Sequence, residues 1–202
     1  MCGRFYVPSD DDAEDLAAML READERAGEP LPRGEISPGM KAPVMCLSRA
    51  GHPRIFPMHW GYPVAERLLV NARSETAAIR TIFQESFRTR RCLIPASAWF
   101  EWDHRVKPMT KYRIRREAQP WFYLAGLYRL TEDGPQCTVL TREAVGSLRD
   151  LHGRMPVSFV RGDARAWLDP DADPESLVRT DPGPVVFEPV PGQAEQVTLW
   201  EV

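Results

Sequence analysis

At 202 residues and 23.0 kDa, with 43% hydrophobic and 27% charged residues, the chain has the composition of an ordinary globular protein with one substantial core. No apolar run approaches the roughly 20 residues that cross a bilayer, and no charged-then-apolar segment opens the chain, so neither a membrane span nor export is expected and a cytoplasmic setting is. The net charge of −3 carries no blanket basicity, but it is uneven: residues 73–116 hold nine Arg and two Lys against four Asp or Glu, a balance of +7 that leaves −10 for the remainder. One basic face on an acidic body is the expectation, with a solvated basic helix and hairpin as the ordinary alternative.

The four cysteines, Cys2, Cys46, Cys92 and Cys137, are far apart and form no CxxC pair. That spacing argues against a zinc site or a disulfide framework and fits a reducing compartment; no metal and no cofactor is expected. Cys46, Cys92 and Cys137 lie in apolar runs, as core thiols do.

A short strand is expected at the MCGRF start, followed by a helix from Ser9 to Gly28 with Leu16, Met19, Leu20 and Ala23 on one side and Ser9 with Asp12 as a capping box. Residues 30–38 are rich in Pro and Gly and read as a loop. Strands are expected over 43–47, 54–58 and 68–70, and a helix over 75–87. Strands resume at 91–94, 98–102, 111–115, 121–128 and 136–140. A helix over 142–151, a strand over 157–160, a helix over 163–168 and a strand over 185–190 complete the chain. Irregular strands with a few helices indicate an α+β class: a single compact domain over 1–202 with a mixed, barrel-like sheet and peripheral helices.

Four runs carry polar groups in apolar context: Met58 to Pro63, Asn71 to Ala77, Arg91 to Trp102, and Leu151 to Val157. Cys2 follows the initiator methionine. Removal of Met1 leaves an α-amine and a thiol on adjacent carbons, a pair that condenses with an aldehyde into a thiazolidine or acts as an N-terminal nucleophile. Glu101 sits between Phe100 and Trp102. A carboxylate desolvated there is a proton shuttle, whereas strand alternation that turns it to solvent leaves it structural. His152 has the right pKa range for acid–base work, or is a hydrogen-bonded surface residue. Asn71 has an amide able to orient an amine or carbonyl, or caps a turn. Arg4 and Arg73 suit phosphates, or ordinary ion pairs. Trp60 offers a face for a base, or is buried. No P-loop, dinucleotide fingerprint, HExxH or GxSxG is present.

Taken in order, MCGRF, Trp60-Gly61, Asn71-Ala72-Arg73-Ser74-Glu75-Thr76-Ala77, Arg91-Cys92-Leu93-Ile94-Pro95-Ala96, Trp99-Phe100-Glu101-Trp102, Ala125-Gly126-Leu127-Tyr128 and His152-Gly153-Arg154-Met155-Pro156-Val157 closely resemble the SRAP family, SOS-response-associated peptidase proteins that crosslink to abasic sites in DNA. The resemblance covers roughly residues 1–170 and is weak after Asp169. It implies a compact mixed α/β domain with a barrel-like core and a groove for single-stranded DNA. It also implies a catalytic set in which Cys2 forms the thiazolidine with the ring-opened sugar, Asn71 holds the Cys2 amine and the sugar, Glu101 serves as acid or base, and His152 assists ring opening. Arg4 and Arg73 are implied as phosphate clamps, Trp60 as a stacking surface and Thr141 as a small polar DNA contact. The chain departs from the family pattern at His59, where Arg is common, at Ala98, where Gly is common, and over Ile36-Ser37-Pro38.

The expected partner is single-stranded DNA with abasic sites, and the expected state is a monomer. Two alternatives remain beside an abasic-site crosslinker: a cysteine peptidase, at minimum removing its own Met1, and a noncatalytic DNA-binding module.

Overall fold

The computed structural model describes residues 2–10, 13–117 and 119–195. Strand β1 (Arg4–Val7) leads to helix α1 (Glu14–Ala27), which buries Leu16, Leu20 and Ala23 and ends at Gly28. Asp12, half of the expected capping box, lies outside the described residues. The 30–38 segment is not all loop, because β2 (Gly34–Ile36) pairs antiparallel with β1. Then come the antiparallel pair β3 (Lys41–Leu47) and β4 (Pro53–Trp60), the small hairpin β5 (Tyr62–Val64) and β6 (Arg67–Leu69), and β7 (Asn71–Arg73).

The helix expected over 75–87 is two helices, α2 (Ser74–Ala77) and α3 (Thr81–Thr89). Arg80 is extended between them and Ile79 is 76% exposed, so the apolar spacing there is not one continuous stripe. Strands β8 (Arg91–Ala96), β9 (Ala98–Asp103), β10 (Met109–Arg116), β11 (Phe122–Thr131) and β12 (Gly134–Glu143) follow. Of the helix expected over 142–151, only α4 (Leu148–Leu151) forms. Arg142 and Glu143 instead extend β12 and pair with β13 (Arg154–Pro156), so ladder hydrogen bonds override a helical pattern. The chain closes with β14 (Ser158–Phe159), α5 (Ala164–Leu168), α6 (Pro174–Leu177) and β15 (Val185–Glu195).

Strands β12, β4, β3, β8 and β11 are joined in that order, and β11 pairs back onto β12 to close a barrel. The period-2 alternation of strands divides their side chains between two apolar clusters. Ala42, Val44, Cys46, Met58, Trp60, Cys92, Ile94, Phe122, Leu124, Cys137 and Val139 pack with one another and with Phe5, Ile36, Trp99 and Ile114. The alternate residues, among them Met45, Ile55, Leu93, Tyr123 and Leu127, meet α1, α3 and α5. The expected core thiols are therefore all buried, and burial pushes the Cys46 thiol up to about 11. Gly126 keeps this interior closed: a Cβ there would lie 2.9 Å from both Cys92 Sγ and the Thr138 carbonyl.

A second sheet, in the order β15-β10-β9-β1-β2, lies against this interior through Phe5, Ile36, Trp99 and Ile114. Sheets of this mixed kind with a few helices are the α+β architecture expected.

Candidate active site

The antiparallel register of β1 and β9 sets Arg4 across from Phe100 and Phe5 across from Trp99. The residues just before Arg4 are thereby carried alongside Glu101. Cys2 is fully buried, and its Sγ donates a weak hydrogen bond to the Arg4 carbonyl at 3.8 Å. From the barrel side, β7 runs parallel to β12 with Asn71 beside Val139. That position aims the Asn71 amide at the N-terminal segment, and its Nδ2 donates to the Cys2 carbonyl at 2.9 Å. The other amide atom, Oδ1, is buried with no hydrogen-bond partner among the described residues.

Glu101 is 2% exposed, so alternation turns it inward on the side of Trp99 and not to solvent. Burial pushes its carboxyl up to about 7, because a desolvated carboxylate is disfavoured relative to the neutral acid. Its Oε2 lies 3.8 Å from His152 Nε2. His152 follows α4, and its Nδ1 is within 3.0 Å of the Arg154 carbonyl and 3.1 Å of the Arg154 amide nitrogen. Partial burial lowers the pKa of the imidazole, working against the Arg154 carbonyl, which raises it. The Cys2 thiol is shifted far upward, first by burial and then by the Glu101 charge. Cys2, Asn71, Glu101 and His152 are thus one constellation, assembled from the N-terminal segment, β7, β9 and the turn after α4.

The four residues singled out for DNA contact divide. Arg73 is exposed and lines a cleft of about 740 Å³ with Asn71, Thr76, Arg80, Ile82 and Phe83. Arg4 is 37% exposed at its side chain and is paired with Glu35 at 2.8 Å. Trp60 is fully buried. Its ring meets Phe5 edge-on at 4.7 Å and its Nε1 donates to the Val70 carbonyl at 2.9 Å, so no base reaches its face in this arrangement. Gly61 makes the corner, at φ 122°, where a Cβ would lie 2.4 Å from Leu68. Thr141 is also fully buried, with Oγ1 3.5 Å from the Ala72 carbonyl and 3.3 Å from Arg154 Nη2. It supports the site from behind.

The +7 segment does not form one basic face. Arg91 is buried and donates to the carbonyls of Trp167, Phe87 and Arg88, and Arg116 is buried against Ser158. Arg105 is held by Asp103, Arg90 by Glu85, and Arg113 lies over Tyr6.

Two features escaped sequence reasoning. Arg154 makes a bidentate pair with Glu75, at 2.7 and 2.9 Å, and donates to the Thr141 carbonyl at 2.8 Å, which braces the backbone around the His152 ring. Arg80 faces the same cleft as Arg73. Both residues lay inside the quoted runs or next to them, but no local pattern tells an arginine that braces from one that faces a cleft. His59, the departure from the family's Arg, is exposed with Nδ1 3.3 Å from the Gly39 carbonyl. Among the described residues no group of three or more His, Cys, Asp or Glu could hold a metal ion.

The model of the family described as SOS response associated peptidase (SRAP) matches residues 1–196 of this chain. The chain belongs to the SRAP family. The chain is 32% identical to the abasic site processing protein YobE of Bacillus subtilis over 197 residues, covering 88% of this chain and 86% of that one. It is 33% identical to the abasic site processing protein YedK of Escherichia coli over 180 residues, covering 83% and 79%. Among solved structures, a protein from Bacteroides thetaiotaomicron superposes with a TM-score of 0.74 at 21% identity, over 95% of this chain and 93% of that one, and shares the fold. In SRAP terms, the four residues brought together here are those for which the sequence resemblance implied catalytic roles. The family match extends past Asp169, where that resemblance had weakened.

Proposed function

We propose that this SRAP protein senses abasic sites in single-stranded DNA and crosslinks to them through Cys2. The supporting observation is the Glu101 carboxyl, buried, with a pKa near 7, next to Cys2 and 3.8 Å from His152 Nε2. An acid poised at neutral pH in a water-poor site moves protons in both directions, and this chemistry needs both.

The steps balance without a cofactor. The closed sugar opens to its aldehyde when a proton leaves the anomeric hydroxyl and another reaches the ring oxygen; the neighbouring pair His152 and Glu101 are the groups assigned this transfer. With Met1 removed, the Cys2 amine adds to the aldehyde carbon and water departs as the imine forms. The Cys2 sulfur then adds to the imine carbon while its proton passes to the nitrogen, closing the thiazolidine. Both nucleophiles sit on one residue, so ring closure is unimolecular and fast. Asn71 holds the Cys2 carbonyl, and its buried Oδ1 is an acceptor available to the amine or to a sugar hydroxyl. The cleft that Asn71 shares with Arg73 and Arg80 provides cations for the flanking phosphates. The outcome is a covalent shield over the lesion, and protonation of the thiazolidine by Glu101 or His152 reverses it.

A peptidase reading fits this geometry less well. A thiol peptidase needs a thiolate formed by a partner base, yet the Cys2 thiol is held neutral by burial and by the Glu101 charge, and His152 Nε2 faces Glu101. The amine-first route begins without a thiolate.

The test uses purified protein and a single-stranded oligonucleotide carrying one abasic site, resolved on a denaturing gel. A heat-stable shifted band that requires both the lesion and a free Cys2 is expected. Its absence, with Met1 removal verified by mass spectrometry, overturns the proposal.

A further inference from the structure

One carboxylate stands between two cations on the second sheet. Glu35 of β2 accepts from Arg4 Nη1 at 2.8 Å and from Lys111 Nζ at 2.9 and 2.7 Å. The three come from β2, β1 and β10, and β9 runs between β1 and β10. The Lys111 ammonium lies 4.3 Å from the Phe100 ring centroid and 5.6 Å from that of Trp102, and the Arg4 guanidinium carbon lies 5.7 Å from the latter.

The two cations are held differently. Lys111 is 3% exposed, and a charge so buried is strongly disfavoured without its counter-ion. It engages both oxygens of Glu35 and is locked in place. Arg4 engages one oxygen, and at 37% side-chain exposure its pairing is the kind that contributes little. Partial burial works to raise the Glu35 pKa, and hydrogen bonds from Lys111 and Arg4 override it, so the carboxylate stays ionised below its ordinary range. Loss of the Arg4 contact would still leave Glu35 with two bonds to Lys111.

We propose that Glu35 is a built-in competitor for DNA phosphate: it occupies Arg4 in the free protein and gives it up when a strand binds, remaining neutralised by Lys111. The inference rests on the reading above in which Arg4 takes a phosphate. Any strand, damaged or intact, must displace Glu35 before it gains Arg4. An intact strand has only reversible contacts with which to do so, whereas an abasic strand is afterwards retained by a covalent bond. Glu35 therefore weakens the reversible complex with either strand, but only the abasic strand goes on to a covalent bond that no longer depends on Arg4, and selectivity in what is retained arises from that difference.

The test is a four-corner cycle of wild type, Glu35→Gln, Arg4→Gln and the double variant. Affinity for a fluorescent undamaged single-stranded oligonucleotide is read by anisotropy, and the crosslinking rate is read at saturating protein. Glu35→Gln should bind the intact strand roughly two- to fivefold more tightly, the size of one exposed ion pair, with the saturated crosslinking rate unchanged. The gain should vanish in the Arg4→Gln background. No gain, or a gain that survives without Arg4, overturns the proposal. Arg4→Gln alone reports on the underlying reading, because unchanged affinity there removes Arg4 from the phosphate role whatever Glu35 does. Should Glu35→Gln fold poorly for loss of the Lys111 ion pair, the paired Glu35→Gln, Lys111→Met variant removes both charges of that pair while still removing the Glu35 contact to Arg4, and the same gain is expected from it.

Discussion

Asn71 and Cys2 are 69 positions apart in the chain, yet the amide Nδ2 of Asn71 donates to the Cys2 carbonyl at 2.9 Å. That bond ties the N-terminal segment to β7, which bears Asn71, and adds to the β1–β9 pairing that sets Cys2 beside Glu101. Asn71→Ala should therefore slow crosslinking about tenfold, the equivalent of one hydrogen bond, and lower stability by about 1 kcal/mol. Single-turnover gel kinetics and a thermal melt check the two numbers separately.

Glu101→Gln removes the proposed proton shuttle without changing shape. Crosslinking should fall by roughly a hundredfold or more. The wild-type rate should change through neutral pH, where this carboxyl titrates with a pKa of about 7, and the variant should lose that inflection. A pH–rate profile from pH 5 to 9 that is the same for both proteins would return Glu101 to a structural role.

The same carboxyl makes a stability prediction of definite sign. Its pKa rises from 4.5 to about 7 on folding, so the folded chain holds the proton more tightly than the unfolded one. The stabilisation is fully present below pH 4.5 and is lost as pH rises through 7, on the order of 3 kcal/mol across that window. Glu101→Gln, which cannot ionise, should match wild type in melting temperature near pH 4 and exceed it at pH 8. A wild-type protein that gains stability relative to the variant as pH rises contradicts the burial argument.

Cys2→Ser keeps the α-amine but replaces the thiol. It should give no heat-stable product with abasic DNA, yet yield a crosslink when borohydride reduces the imine. Heat-stable product from Cys2→Ser without reductant would exclude sulfur from ring closure.

Trp60 and Arg73 should separate folding from binding. Trp60→Ala removes a fully buried ring packed on Phe5 and should cost about 3–5 kcal/mol in stability. Arg73→Ala, at an exposed position, should leave the melt unchanged, weaken single-stranded DNA binding and reduce the salt slope by about 0.7. Denaturant melts and salt titrations of binding distinguish the two.

Much of this molecule is determined locally. The apolar spacing of Leu16, Leu20 and Ala23 specifies α1, and the unbroken apolar run from Cys92 to Ala96 specifies a strand buried on both faces, because side-chain periodicity follows directly from backbone geometry. The four catalytic candidates were legible as residue types in an ordered set of motifs. Their meeting was not, since Cys2, Asn71, Glu101 and His152 are joined only by strand register and barrel closure. Register likewise decided that Glu101 turns inward and that Trp60 and Thr141 are buried behind the site, while local turns and tertiary packing together leave most arginines of the 73–116 segment consumed by carbonyls, carboxylates and rings. A strand hidden in a Pro- and Gly-rich loop brought Glu35 to Arg4 and Lys111. Sequence determines which side chains can titrate, pair or stack. Which of them lose water and which meet depends on contacts between residues distant in the chain, and only the tertiary structure supplies those.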